Sequence, residues 1–163
     1  MLTLTGPPGV GKTRLAVELA ASVLSDFDDG VRFVDLSPVA DARLVTDAIS
    51  RQLGLREFGR RPPSEVVEDF LRDKSLLLVL DNFEQVLDAA ADIGRLLAAC
   101  ADVKVLVTSR APLHLRWESE LPVLPLRLPA VDTGPASEAV AASPAGQLFL
   151  ERARTVVPNL ALS

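Results

Sequence analysis

The eight residues Gly6-Pro7-Pro8-Gly9-Val10-Gly11-Lys12-Thr13 constrain this chain more than any other stretch of it. They fit the spacing Gly-x-x-x-x-Gly-Lys-Ser/Thr, which serves one kind of backbone. Glycines let the chain curl until successive N–H groups point into a single concavity, and such a concavity binds phosphate oxygens. The arrangement needs a strand leading in and a helix leading out, so that the helix N-terminus adds its dipole. Both flanks are present. Met1–Thr5 is a short run with Leu2 and Leu4 set among threonines, and Arg14 to Leu24 carries Leu15, Leu19 and Val23 at the four-residue spacing of one helix face. In such a loop Lys12 reaches the β-phosphate of ADP or the β- and γ-phosphates of ATP, and the Thr13 hydroxyl coordinates Mg²⁺. Gly6, Pro7, Gly9, Val10, Gly11 and Arg14 complete the expected nucleotide-binding set.

Downstream, short apolar runs alternate with longer helical periods. Val31–Leu36 reads as a strand after the turn-like segment Asp26–Gly30. Leu44, Ala48 and Ile49 suggest a helix closed near Gly54, and Arg56–Pro63 is a polar loop. Ser64 is placed to cap a short helix with Val67, Phe70 and Leu71 inward. Leu76–Asp81 is the clearest strand, continuously apolar before its aspartate, as expected where both sheet faces are covered. Val86, Ala90, Ile93, Leu97 and Cys100 then mark one face of an amphipathic helix. Val103–Val107 is another strand, ending in Thr108-Ser109-Arg110. Leu121–Leu126 is a last strand, confined by two prolines to an edge or an end. Ala130–Ser143 is a Pro/Ser/Ala-rich connector, and Leu148, Phe149, Ala153 and Val156 mark a final helix. The alternation predicts an α/β fold: one domain over residues 1–163, with a parallel sheet of about five strands between helices on both faces.

Sites in such sheets lie beyond the C-terminal strand ends, here after Thr5, Leu80 and Val107. Asp81, ending an apolar strand beside the phosphate loop, is expected to hold Mg²⁺ through water. The next residue is Asn82, an amide that cannot take a proton from an attacking water. Glu84 lies two residues further on; it either takes that role or opens the next helix, where a carboxylate suits the dipole. Arg110 is placed to touch a γ-phosphate, because a guanidinium stays charged and offers planar bidentate donors. Lys12, Asp81 and Arg110 are thus the expected catalytic set, with good nucleotide binding and slow hydrolysis.

Composition closes off other classes. The chain has 163 residues, 48% apolar, and the run Leu76–Leu80 is far short of a membrane span. A net charge of -5 argues against non-specific nucleic-acid binding. The N-terminus has no basic, apolar leader pattern, and the single Cys100 excludes an internal disulfide, so a cytoplasmic setting is expected. His114, the only histidine, reads as a surface-loop residue and Cys100 as core. Trp117 reads as packing under its loop and Arg60-Arg61 as a solvated basic pair. Asp35 ends a strand expected to lie away from the nucleotide.

The segments LTGPPGVGKTRLAVELA, FVDLSPV, LLLVLDNFEQVLDAA, KVLVTSRAPLHLRWESELPVLPL and SPAGQLFLERAR span almost the whole chain. Together they resemble the nucleotide-binding domain of STAND, NB-ARC-like ATPases, as found in bacterial LuxR-type and AfsR-type transcriptional regulators. The resemblance implies that Gly6–Thr13 is the Walker A loop, Asp81 the Walker B aspartate and Arg110 a sensor arginine. It implies an additional strand, Val103–Val107, between the Walker A and Walker B strands. It further implies a switch between ADP and ATP forms, coupled to helical, winged-helix and effector domains and to nucleotide-dependent self-association. Because residue 163 comes before the family's Gly-x-Pro helical module, a core fragment of that architecture is expected.

Overall fold

The structure, a computed structural model, describes residues 1–55, 61–129 and 136–157. The chain forms two compact units, Met1–Val123 and Leu124–Ser163.

The first unit holds a five-stranded sheet in the order β2-β3-β4-β1-β5. Its strands are β1 (Leu2–Thr5), β2 (Val31–Asp35), β3 (Leu76–Asp81), β4 (Val103–Ser109) and β5 (Ser119–Pro122). Every pairing is parallel. β4 lies between β1 and β3, which is the additional strand that the resemblance implies. The register sets Asp35 opposite Asp81, Leu80 opposite Val107, and Thr5 opposite both Ser109 and Pro122. The C-terminal ends of these parallel strands therefore lie together at one end of the sheet.

Side-chain alternation along the strands divides the core in two. Leu76, Leu78 and Leu80 of β3 and Val103, Val105 and Val107 of β4 pack on one face with α2 (Val45–Gln52), α3 (Pro63–Leu71) and α4 (Ala90–Ala99). Leu77, Val79 and Leu106 point the other way, towards α1 (Lys12–Ser22). The three-layer sandwich follows from this, because a strand buried on both sides needs helices on both sides. In the second unit α5 (Ala136–Ala142) leads to α6 (Pro144–Val156). Ser143 caps α6, its hydroxyl accepting from the Gly146 N–H at 3.0 Å.

Several expectations need correction. The buried side of α1 is Lys12, Ala16 and Ala20, while Leu15 is exposed. Small residues let the helix lie close to the sheet, and the apolar spacing alone does not reveal this. α3 starts at Pro63 after an uncapped Pro62, so Ser64 is not its cap; Phe70 is exposed beside buried Val67 and Leu71. Proline at the first helical position lacks only an N–H that would be orphaned anyway. The edge strand is Ser119–Pro122 rather than Leu121–Leu126, because its pairing to β1 runs out where β1 gives way to the glycine loop. Part of the connector expected over Ala130–Ser143 is the helix α5. α6 buries Gly146 and Leu150, leaving Phe149 and Val156 exposed. Trp117 is more than half exposed, not packed under its loop. Cys100 is fully buried as core, and His114 is on the surface. Arg60 lies outside the described residues, and Arg61 pairs with Asp69 and Glu65.

Candidate nucleotide site

The loop between β1 and α1 takes the backbone its sequence requires. Gly11 precedes α1 with φ 103° and ψ 15°, a left-handed conformation that lets the loop turn into the helix. Gly6 has φ 150°, and a Cβ there would stand 2.6 Å from the Val123 carbonyl oxygen. The start of the loop is thus pinned against the residue after β5, whose own N–H donates to the Thr5 carbonyl at 2.7 Å. Lys12 is almost fully buried; its Nζ donates to the Gly6 and Pro7 carbonyls at 2.8 and 3.0 Å. The ammonium is therefore held inside the curl of the loop.

Asp81, 3% exposed, would be costly as a bare carboxylate. Three donors satisfy it. The Thr13 hydroxyl lies 2.8 Å from Oδ1 and 3.1 Å from Oδ2. The Thr108 hydroxyl donates to Oδ1 at 2.5 Å, and the Asn82 amide donates to Oδ2 at 3.1 Å. Thr108 in turn accepts the Asn82 backbone N–H at 3.0 Å. That bond helps hold Asn82 at φ 63°, a left-handed position that asparagine tolerates better than most residues. Thr108 belongs to the strand-end triplet, but nothing in the sequence announces its bridge to Asp81 and Asn82. Only the pairing of β3 with β4 brings it there.

Asn82 also reaches sideways, its amide nitrogen 3.5 Å from Asp35 Oδ1. Asp35 therefore stands at the edge of this cluster, contrary to the expectation that its strand lies away from the site. Hydrogen bonds from Ser37, and a smaller contribution from Asn82, hold its carboxyl below the ordinary range.

Past Asn82 the chain makes a short 3-10 turn, Phe83–Gln85, with Phe83 fully buried. This turn swings Glu84 towards the end of β4, where its Oε1 accepts from Arg110 Nε at 2.9 Å. A cleft of about 580 Å³ opens between these elements, lined by Gly9, Gly11, Lys12, Thr13, Arg14, Asn82, Glu84 and Arg110 among others. Lys12, Thr13, Arg14 and Arg110 are thus brought to one cavity, with Asp81 bonded to Thr13 at its base. Gly6, Pro7 and Val10 shape the loop without lining the cleft; Gly6 and Pro7 supply the carbonyls that hold Lys12. Behind Arg110 the loop back to β5 is drawn together by Glu118, which accepts from Leu113 and Leu115 N–H at 2.9 and 3.3 Å.

The donor set fits a nucleotide and a divalent cation. A hydroxyl next to a fastened carboxylate is hard oxygen chemistry suited to Mg²⁺. The glycine loop ahead of the α1 N-terminus, with an ammonium inside it, is suited to a phosphate chain. Among the described residues no group of three His, Cys, Asp or Glu side chains forms a metal cluster. No described helix is long and apolar enough to cross a membrane.

A family model described as AAA domain matches residues 1–121. Over 164 aligned positions the whole chain is 35% identical to the "Putative HTH-type transcriptional regulator Rv0890c" of Mycobacterium tuberculosis (strain ATCC 25618 / H37Rv), covering 17% of its length. It is 34% identical to "Uncharacterized protein Rv0894" of the same organism, covering 38% of that protein. The chain thus spans well under half of these relatives. Among solved structures, Cdc6p from Pyrobaculum aerophilum aligns with a TM-score of 0.65 at 15% identity, over 94% of this chain and 43% of that one. A Walker-type ATPase of Pyrococcus abyssi aligns at 0.60 and 14% identity, over 100% of this chain and 55% of that one. These two likenesses speak to the fold.

Proposed function

The chain belongs to the AAA domain family of P-loop ATPases, and from that premise we propose that it is an ATP- and ADP-binding switch that hydrolyses Mg-ATP slowly. The observation that carries the reading is the environment of Asp81. The carboxylate is fastened by Thr13, Thr108 and Asn82, and the residue that follows it is an amide. Good nucleotide binding combined with weak proton abstraction suits a domain whose bound nucleotide is a signal.

In this reading the loop N–H groups and Lys12 bind the phosphates, and Arg14 lines their approach. Water attacks the γ-phosphorus in line as the bond to the β–γ bridging oxygen breaks and ADP leaves, the water's proton passing to the released phosphate and solvent, while Lys12 and Arg110 stabilise the charge spread over the equatorial oxygens. Mg²⁺, held by Thr13 directly and by Asp81 through water, would neutralise phosphate charge. Asn82 can orient the water through its amide but cannot accept its proton. The rate is accordingly limited by the lack of a base.

The subtype is the STAND, NB-ARC-like one, and similarity to a longer protein described as a transcriptional regulator supports a signalling role. The domain then works with helical, winged-helix and effector domains elsewhere in such a protein, in the cytoplasm, with self-association driven by nucleotide. This piece touches neither nucleic acid nor membrane. A second reading, a module that holds nucleotide without turning it over, is favoured by the engagement of Glu84 and Arg110 with each other.

Phosphate release separates the two. The chain should release phosphate slowly from Mg-ATP, and Asn82→Asp should raise the rate by roughly tenfold or more. No release from either protein would favour the holding module. Turnover of ~10 s⁻¹ by the unaltered chain would contradict both.

A further inference from the structure

Glu84 and Arg110 form the one ion pair among the described residues in which both partners line the phosphate cleft. The two ends of the pair are unlike. The Glu84 side chain is 15% exposed and fixed on the 3-10 turn behind buried Phe83, whereas Arg110 is 60% exposed at the end of β4. The arginine is the end that is free to swing. Glu84 is also under-bonded: Oε1 accepts from Arg110, while Oε2 is buried with no hydrogen-bond partner. A desolvated carboxylate with a single cationic partner holds that partner more firmly than a surface glutamate would.

We propose that Glu84 is a latch on Arg110: it holds the guanidinium away from the nucleotide until a γ-phosphate draws it off. Glu84 is thereby a positioning residue that sets how strongly the site prefers ATP to ADP. This rests on the reading of Arg110 as the γ-phosphate contact. ADP presents no γ-phosphate to compete for the guanidinium, so the pair persists and ADP binding does not feel Glu84. ATP binding must break the pair and leave a buried carboxylate without its cation, which weakens ATP relative to ADP. The latch needs no acid–base step, and no covalent bond is made or broken.

The test is a double-mutant cycle in the 163-residue chain, with a non-hydrolysable imido analogue of Mg-ATP and with Mg-ADP as titrants. Glu84→Gln, with Glu84→Ala as a second form, should tighten the analogue roughly fivefold, the worth of a partly screened ion pair. Mg-ADP affinity should move by less than about twofold, within the scatter of a neutral surface change. Arg110→Ala alone should weaken the analogue and not ADP. In the Arg110→Ala background, Glu84→Gln should then change nothing. The latch is overturned if both Glu84 variants shift the two nucleotides alike, leave the analogue unchanged or weaken it. It is equally overturned if Glu84→Gln tightens the analogue as much without Arg110, since that is direct repulsion between carboxylate and phosphate. If Arg110→Ala leaves the ratio of analogue to ADP affinity unaltered, the γ-phosphate reading of Arg110 fails, and the latch falls with it.

Discussion

Replacing Thr108 with valine removes a hydroxyl and keeps the shape of the side chain, so no cavity complicates the result. Thr108 is 1% exposed and makes two bonds there, donating to Asp81 Oδ1 and accepting from the Asn82 N–H. The first is charge-assisted, worth about 2 kcal/mol; losing the second strands a donor whose desolvation costs about 1–3 kcal/mol. Asp81 keeps its bonds from Thr13 and the Asn82 side chain, so the loss is partial. The sum is about 3 kcal/mol, and for a domain of this size the midpoint of thermal unfolding should fall by roughly 10 °C. Thr108→Ser keeps the hydroxyl and loses one methyl group, costing about 1 kcal/mol. Urea unfolding followed by circular dichroism measures all three proteins. A valine variant within about 0.5 kcal/mol of the wild type, the range of an inconsequential surface change, would refute the bridging role given to Thr108.

Gly6→Ala and Gly11→Ala should differ although both add one methyl to the same loop. At Gly6 the new Cβ meets the Val123 carbonyl at 2.6 Å, backbone that cannot turn aside, so about 3 kcal/mol should be lost. At Gly11 nothing lies within 4 Å and only conformational strain remains, about 1–2 kcal/mol; equal losses in calorimetry would contradict the pinning of the loop to β5. Glu118 supplies a pH signature. Burial pushes its carboxyl up, but hydrogen bonds, including those from the Leu113, Leu115 and His114 N–H groups, outweigh it and leave it below the ordinary value. A depressed carboxyl stabilises the fold fully above its unfolded pKa of ~4.3 and loses that contribution as pH falls through the folded value. The stability gap between wild type and Glu118→Gln should therefore shrink between about pH 6 and pH 3; a gap that stays constant would show that the ionised form is not what the loop holds.

Much of this site can be read along the sequence because its parts are local. The loop Gly6–Thr13 needs only its own residues and flanks, and Leu76–Asp81 declares itself as a strand with an acidic end. Arg110 follows from the same logic of strand ends. What sequence does not disclose depends on which strands become neighbours. Thr108 reaches Asp81 because β4 lies beside β3, and Asp35 reaches Asn82 because β2 lies on its other side. Glu84 reads along the sequence as either a base or the opening of a helix; left-handed Asn82 sets it in a short 3-10 turn with its carboxylate on Arg110, a placement that apolar spacing cannot encode. At α1 the apolar spacing finds only part of the contact: Leu19 and Val23 pack against the core, but the residues buried deepest are the small Ala16 and Ala20, and Leu15 of the same series is exposed.

The switch reading and the role of Glu84 both depend on the cleft taking up a nucleotide through the glycine loop. Calorimetric titration of Mg-ADP and Mg-ATP into the chain and into Lys12→Ala, with circular dichroism to verify that both are folded, tests this most directly. The account predicts that the chain binds both nucleotides and that the variant, without the ammonium held at the Gly6 and Pro7 carbonyls, binds neither. A folded chain that takes up no nucleotide, or a variant that binds as tightly as the wild type, would contradict it.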